Sequence, residues 1–306
     1  MTCFTLPMPF TLAHLSDPHL APLPRPRLSE LIGKRITGYL NWQLRRRSIH
    51  DRRVLDALVD DLKTRQADHI AVTGDIVNIA AEAEFAPAAA WLAGLGPARD
   101  VSFVPGNHDI YVAEAERYAT QAWGAYMSSD CGGAGFPYLR ARGALALIGL
   151  STGVPTRAGM ATGTLGERQV AALSALLRDC KRAGMFRVLL IHHPPVSEAA
   201  PHKRLIDAAL LKDVLASTGA ELLLHGHDHK AMLNWLEGPN GTRVPAIGVP
   251  SASAAPAAAE HPAAYNLYAI DGAPGAWTCN MIARGIGPDG KVAELQRVNL
   301  VRGAAG

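Results

Sequence analysis

The sequence predicts an α/β domain, and three observations carry that prediction. Strand-length apolar runs alternate along the chain with amphipathic helical stretches. Most of the runs lack turn residues, as expected of strands buried on both faces. The ligand-type side chains fall just past the C-terminal ends of the runs, where open α/β sheets build their sites.

Taken in order, Thr11–Leu15, Ile70–Thr73, Ser102–Val104, Ala144–Ile148, Arg187–Ile191 and Glu221–Leu224 are the expected strands. Val244–Val249 contains Pro245 and Gly248 and is expected at a sheet edge. Between them, Arg52–Gln66 sets Val54, Leu55, Leu58, Val59 and Leu62 on one helical face. Glu167–Ala183 does the same with Val170, Leu173, Leu176 and Leu177, and Ile206–Ser217 with Leu210, Leu211, Val214 and Leu215. Ser251–Glu260 is rich in Ala and Pro and reads as a loose connector. No repeat and no domain boundary stands out, so residues 1–306 are expected to form a single domain.

Composition narrows the class. Of 306 residues, 48% are hydrophobic and 19% charged, which excludes a disordered chain. No run of about 18 apolar residues escapes charge or proline, so no spanning helix is expected. Met1–Leu12 has no Lys or Arg and no long apolar run, unlike a secretory signal. Cys3, Cys131, Cys180 and Cys279 are scattered, which argues against a disulfide framework or a thiolate metal site and for a cytoplasmic protein.

Five short motifs carry chemistry. Asp17 and His19 follow the first strand, and Gly74-Asp75 the second. Gly106-Asn107-His108-Asp109 follows the third and offers an amide oxygen, an imidazole and a carboxylate in succession. His192 ends the strand Arg187–Ile191, and His225-Gly226-His227-Asp228-His229 follows Glu221–Leu224. Each is modest alone; together they bring two Asp, one Asn and four His to strand ends. Oxygen and nitrogen donors without thiolate suit two divalent metal ions, Mn, Fe, Zn or a mixture. Seven ligands are too many for one catalytic ion with an open position; they suit two ions sharing a carboxylate.

In this order the motifs Asp17-x-His19, Gly74-Asp75, Gly106-Asn107-His108-Asp109, His192 and Gly226-His227-x-His229 resemble those of the calcineurin-like metallophosphoesterases. The His193-Pro194-Pro195 context and the chain length are most similar to the bacterial class III cyclic-nucleotide phosphodiesterases. The resemblance implies a four-layer α/β/β/α sandwich of two mixed β-sheets. It implies that Asp17, His19 and His229 hold one metal, that Asn107, His192 and His227 hold the other, and that Asp75 bridges them. His193 is the alternative to His192, which is preferred because it ends its strand. A metal-bridging hydroxide is then expected to attack a small phosphodiester, such as a cyclic nucleotide. Asn107 and His108 are expected against the substrate. His108 would stabilise the transition state or protonate the leaving oxygen, with Asp109 orienting it and favouring its charged form.

The segment from Arg25 to Arg53 holds nine bases against Glu30 and Asp51, while the rest of the chain is net acidic. Within it Leu28, Leu31, Ile32, Ile36, Tyr39, Leu40 and Leu44 form a helical stripe, with Lys34, Arg45, Arg46 and Arg47 largely off it. Residues 25–50 therefore form a basic amphipathic insertion. Three readings remain open: a cap packed on the body, a peripheral contact with the anionic inner-membrane surface, or, least favoured, a nucleic-acid contact. The membrane reading carries an alternative function, hydrolysis of a lipid-linked pyrophosphate or phosphodiester of the UDP-diacylglucosamine pyrophosphohydrolase type. It also carries an expectation that neutralising Arg45, Arg46 and Arg47 leaves hydrolysis of a soluble substrate unchanged. Oligomeric state is not legible.

Overall fold

The computed structural model describes residues 9–301 apart from 134 and 258. Most of the stretch read against a secretory signal, and Cys3, lie outside the described residues. Among the described residues twelve strands form two six-stranded mixed sheets. The first has the order β12-β11-β10-β1-β2-β3 and is built from β1 (Phe10–Leu15), β2 (His69–Val72), β3 (Val101–Phe103), β10 (Ala264–Asp271), β11 (Thr278–Ile286) and β12 (Val292–Val301). The second has the order β4-β5-β6-β7-β9-β8, from β4 (Tyr138–Arg142), β5 (Leu145–Gly149), β6 (Phe186–Leu190), β7 (Leu222–His225), β8 (Met232–Glu237) and β9 (Arg243–Gly248).

Alternation along the central strands explains the unbroken apolar runs. Leu145 and Leu147, Phe186, Val188 and Leu190, and Leu222 and Leu224 point inward and belong to one core cluster that also takes in Leu12 of the facing sheet. Their neighbours Ala146 and Ile148, Leu189, and Leu223 point outward and pack with Leu173, Leu177, Leu211 and Leu215. Those residues come from α6 (Glu167–Arg182) and α7 (Ala208–Thr218). On the other sheet α3 (Arg52–Thr64) buries Leu55, Leu58 and Leu62, while α4 (Glu82–Leu95) and α5 (Ala115–Trp123) pack together. The layers are thus α/β/β/α, as the resemblance implies.

Two sequence expectations change. Val244–Val249 is not an edge: β9 lies between β7 and the edge strand β8. Pro245 is tolerated because the parallel pairing to β7 begins one residue later, at Ala246. The connector Ser251–Glu260 is not loose at its start. Ser251, Ala252, Ser253 and Ala254 are buried, and Ser251 and Ala254 bridge to Ser16 and His50.

Arg140 on β4 is buried and pairs with no carboxylate among the described residues. Its guanidinium donates to the carbonyl oxygens of Ala98 (2.6 Å), Val101 (2.6 Å), Ala125 (2.6 Å) and Ser128 (2.8 Å). It thereby closes the ends of two loops against the sheet edge. Arg140→Met strands those acceptors and should cost about 3–5 kcal/mol. The check is a urea titration: a lower midpoint at an unchanged slope is expected, and a midpoint within error of wild type refutes the role.

Candidate metal centre

The C-terminal ends of β1, β2, β3, β6 and β7 converge, and the loops leaving them bring the predicted ligands together. Backbone hydrogen bonds from Asp17 N to Gly74 O (3.0 Å) and from His19 N to Asp75 O (3.1 Å) tie the first two loops. Gly74 has φ +101°, and a side chain there would strike the His192 ring. A side chain at Gly106 would run into the Asp75 carboxylate. Asp17, His19, Asp75, His227 and His229 all hold positive φ, at 53°, 36°, 56°, 70° and 53°. Such a conformation costs an L-residue about 1–2 kcal/mol, and strain of this kind gathers at functional sites.

The donor atoms form overlapping groups: Asp17, His19 and His229; Asp17, Asp75 and His192; and His192, His193 and His227, each within 4.8 Å of one another. His229 Nε2 lies 3.2 Å from Asp17 Oδ1 and 3.4 Å from His19 Nε2. His192 Nε2 lies 3.3 Å from Asp75 Oδ2 and 3.2 Å from His227 Nδ1. The outer nitrogens are fixed by carbonyls that can only accept: His192 Nδ1 by Thr73 O (2.6 Å), His19 Nδ1 by Val77 O (3.3 Å) and His227 Nε2 by Lys203 O (2.7 Å). Their other nitrogens therefore face the cluster, the orientation metal-ligating imidazoles need. His193 has both nitrogens engaged, by Thr152 Oγ1 (2.7 Å) and Ala161 O (3.1 Å), whereas His192 keeps Nε2 toward Asp75.

Electrostatics fit cation binding. Burial and neighbouring positive charge push His19 well below the usual range, and burial takes His227 down to about 3, so both are neutral. Burial opposes ionisation of Asp75, but His192 and His108 beside it hold its carboxyl well below the usual range. Burial likewise opposes a charge on His192, yet Asp75 and Asp17 raise it to about 10. The carboxylates thus demand a positive charge at that point, and a metal ion binding there displaces the proton. Asn107 Oδ1 is buried without a hydrogen-bond partner. An orphaned amide oxygen costs about 1–3 kcal/mol, as a ligand atom waiting for a cation would. The residues present fit a pair of divalent ions.

Asp109 departs from its expected role. Its carboxylate accepts the backbone N–H groups of Asp75 (2.7 Å), Ile76 (2.9 Å), Val77 (3.2 Å) and Gly106 (2.9 Å), and His108 is not among its partners. It locks the Asp75 loop to the Gly106 loop. His108 instead donates from Nδ1 to Asn78 O (2.5 Å), while its own N–H donates to Asp75 Oδ1 (2.7 Å). Burial and the adjacent Arg46 lower its pKa to about 3, so its form is neutral rather than charged.

The insertion contributes to the site, which sequence reasoning missed. It runs through α1 (Lys34–Asn41), a π-helical turn at Trp42–Arg46 and α2 (Arg47–Ile49). Trp42, Arg46 and His50 recur every four residues and face inward. Trp42 stacks on His50 at 6.0 Å, and His50 Nδ1 pairs with Ser253 Oγ at 2.8 Å. Arg46 reaches His19 Nε2 at 2.7 Å and His108 Nε2 at 2.9 Å. Arg46 therefore lies in the candidate site, which argues against the expectation that all three arginines are dispensable for soluble substrates. The four-residue spacing was the available signal; counting charge concealed it. The insertion is also a cap only on this inner face.

Donor groups that could hold a pair of metal ions, set at the strand ends of an α/β/β/α sandwich, point to a metal-dependent phosphoesterase. The calcineurin-like phosphoesterase family matches residues 10–231, and the chain belongs to it. Among curated proteins no sequence matches. Among solved structures, a dimetal phosphatase from Danio rerio is similar with a TM-score of 0.66 and 15% identity, over 96% of this chain and 99% of that one. An NAD nucleotidase from Haemophilus influenzae is similar with a TM-score of 0.46 and 13% identity, over 96% of this chain but 50% of that one. A sulfate thiohydrolase, SoxB, from Thermus thermophilus gives 0.47 and 19%, over 97% of this chain and 57% of that one. None of this chain's described helices is long and apolar enough to cross a membrane.

Proposed function

We propose that the enzyme hydrolyses a small phosphodiester, with a cyclic nucleotide as the first candidate. Asp17, His19 and His229 would hold one ion, Asn107, His192 and His227 the other, and Asp75 would lie between them. The observation that carries this reading is the convergence of thiolate-free donors from five loops around one buried carboxylate, Asp75. Divalent ions bound there supply a water of lowered pKa and neutralise charge on the phosphoryl oxygens.

The chain's own residues do the rest. Asp109 holds the Asp75 loop through three backbone N–H groups and ties it to the Gly106 loop through a fourth. Arg46 presents N–H donors to phosphoryl oxygens at the mouth of the cluster. Asn78 fixes the His108 ring so that Nε2 faces the reacting group, next to Arg46. Nε2 is unprotonated while Nδ1 donates to Asn78 O, so His108 acts as the acid only after Nε2 takes up a proton from solvent, which an anionic substrate beside it favours; that proton then passes to the leaving oxygen.

The test is a screen of Mn-, Fe- and Zn-reconstituted protein against cyclic nucleotides, glycerophosphodiesters, UDP-sugar lipids and DNA. Metal-dependent turnover of a small diester supports the reading; turnover of monoesters alone sinks it. His108→Ala should retain both metals and lose roughly 10²–10⁴ in turnover, with a smaller loss for nitrophenyl esters, whose leaving group needs no proton. Equal losses for good and poor leaving groups would restrict His108 to charge stabilisation.

A further inference from the structure

The insertion has a second face that the site does not use. Arg35 and Trp42 are buried, and Leu31 and Tyr39 pack on the core, so the inner side alone fixes the segment. Arg35 secures it further by donating to Ile79 O (3.2 Å), Ala80 O (2.7 Å) and Glu114 (2.6 Å). The remaining members of the apolar stripe point to solvent: Leu28 is 87% exposed, Ile32 76%, Ile36 45%, Leu40 52% and Leu44 80%. Ile36, Leu40 and Leu44 lie four residues apart on one helical face. A contiguous aliphatic face that folding does not require marks an interaction surface.

Charge identifies the occupant. Arg27, Arg52 and Arg53 pair with Glu82, Asp56 and Asp51. Arg25, Arg45 and Arg47 are exposed, and no carboxylate pairs with them among the described residues. Two copies meeting through this face would bring these cations together, whereas an anionic lipid surface complements both the arginines and the stripe. The face is also continuous with the site. The metal cluster opens into a cavity of about 950 Å³, whose wall includes Arg45 and Ile49 from the insertion and Met160 and Leu233 opposite. Met160 and Leu233 are 37% and 39% exposed, and Trp235, two residues along the edge strand β8, is 42% exposed. An apolar rim with a tryptophan beside a polar cleft suits a bilayer interface.

We propose that the insertion docks the enzyme on an anionic membrane surface, so that the substrate is an amphiphile whose phosphoester headgroup enters the cleft from the bilayer. This rests on the metal-dependent phosphodiesterase reading above and takes a lipid phosphodiester as its substrate in place of a soluble cyclic nucleotide. Flotation of the full chain with phosphatidylcholine vesicles, with and without about 30% phosphatidylglycerol, tests it. Wild type should float with the anionic vesicles and be released as salt shortens the Debye length to about 8 Å and below. Replacing Ile36, Leu40 and Leu44 with Ser should weaken partitioning about 100-fold. Arg45→Gln with Arg47→Gln should weaken it about 30-fold. The serine variant should hydrolyse a soluble nitrophenyl diester as wild type does, which shows it folded. Absence of that activity in wild type would refute the hydrolase reading without touching the flotation result. The docking proposal is overturned if wild type does not float, or if the serine variant floats equally. It is equally overturned if wild type binds duplex DNA but not vesicles, or is a dimer that the serine variant dissolves.

Discussion

Asp75→Ala should abolish turnover, a loss of more than about 10³-fold, and should lower the content of both metals rather than one. The carboxylate is the common element of the cluster. Its Oδ2 lies 3.3 Å from His192 Nε2 and 3.9 Å from His19 Nε2, the imidazoles assigned to different ions. Its Oδ1 accepts the His108 backbone N–H at 2.7 Å. The alanine variant has a second defect, because φ at this position is 56° and alanine resists the left-handed region. Asp75→Asn separates the two effects. Asparagine tolerates that conformation and can keep the bond from His108 while removing the charge. Both variants should fail to retain two ions after dialysis, measured by elemental analysis, and only the alanine variant should also lose thermal stability. Two ions retained at wild-type occupancy in Asp75→Asn would remove the bridging assignment.

The sandwich was legible where burial on both faces makes a strand a plain apolar run. Phe186–Leu190 and Leu222–His225 are of that kind and were found within one residue. It was illegible where the second face is solvent or polar. Val292–Val301 exposes most of its residues, and its sequence reads as no strand. Ala264–Asp271 carries Asn266, buried against Tyr268, which breaks the run. Helix α4 was missed because Ala dominates it and Pro87 interrupts it, so no polar face sets a period. The metal motifs were legible because their ligands are local to strand ends and chemically distinctive. Asp109 was misread for the converse reason. Sequence adjacency to His108 suggested a partner, whereas the turn aims its carboxylate at backbone N–H groups more than thirty residues away. Arg46 and His50 escaped because a residue from an insertion enters the site only through tertiary packing.

Replacing Arg46 with methionine should lower kcat/KM on a soluble diester by about 10²–10³-fold, the range for one donor aimed at developing negative charge. The guanidinium is half-buried, its partners are the imidazoles of His19, His108 and His50, and among the described residues no carboxylate pairs with it. Burial lowers its pKa, and Asp75 and Asp17, ahead of Tyr111 and Glu84, oppose that. Once cations neutralise those two carboxylates, no carboxylate among the described residues pairs with Arg46, and a phosphoryl group is the partner its planar donors fit. Arg46→Lys should recover only part of the loss, since a point charge cannot make the paired contact. Stability should not fall with activity, because an uncompensated, partly desolvated cation leaves the fold. Metal affinity should rise, because His19 Nε2 no longer accepts from a guanidinium and the local positive charge is lower. Activity down with melting temperature held and metal retained is the expected pattern. Unchanged hydrolysis in Arg46→Met would return Arg46 to the membrane-contact reading it shares with Arg45 and Arg47.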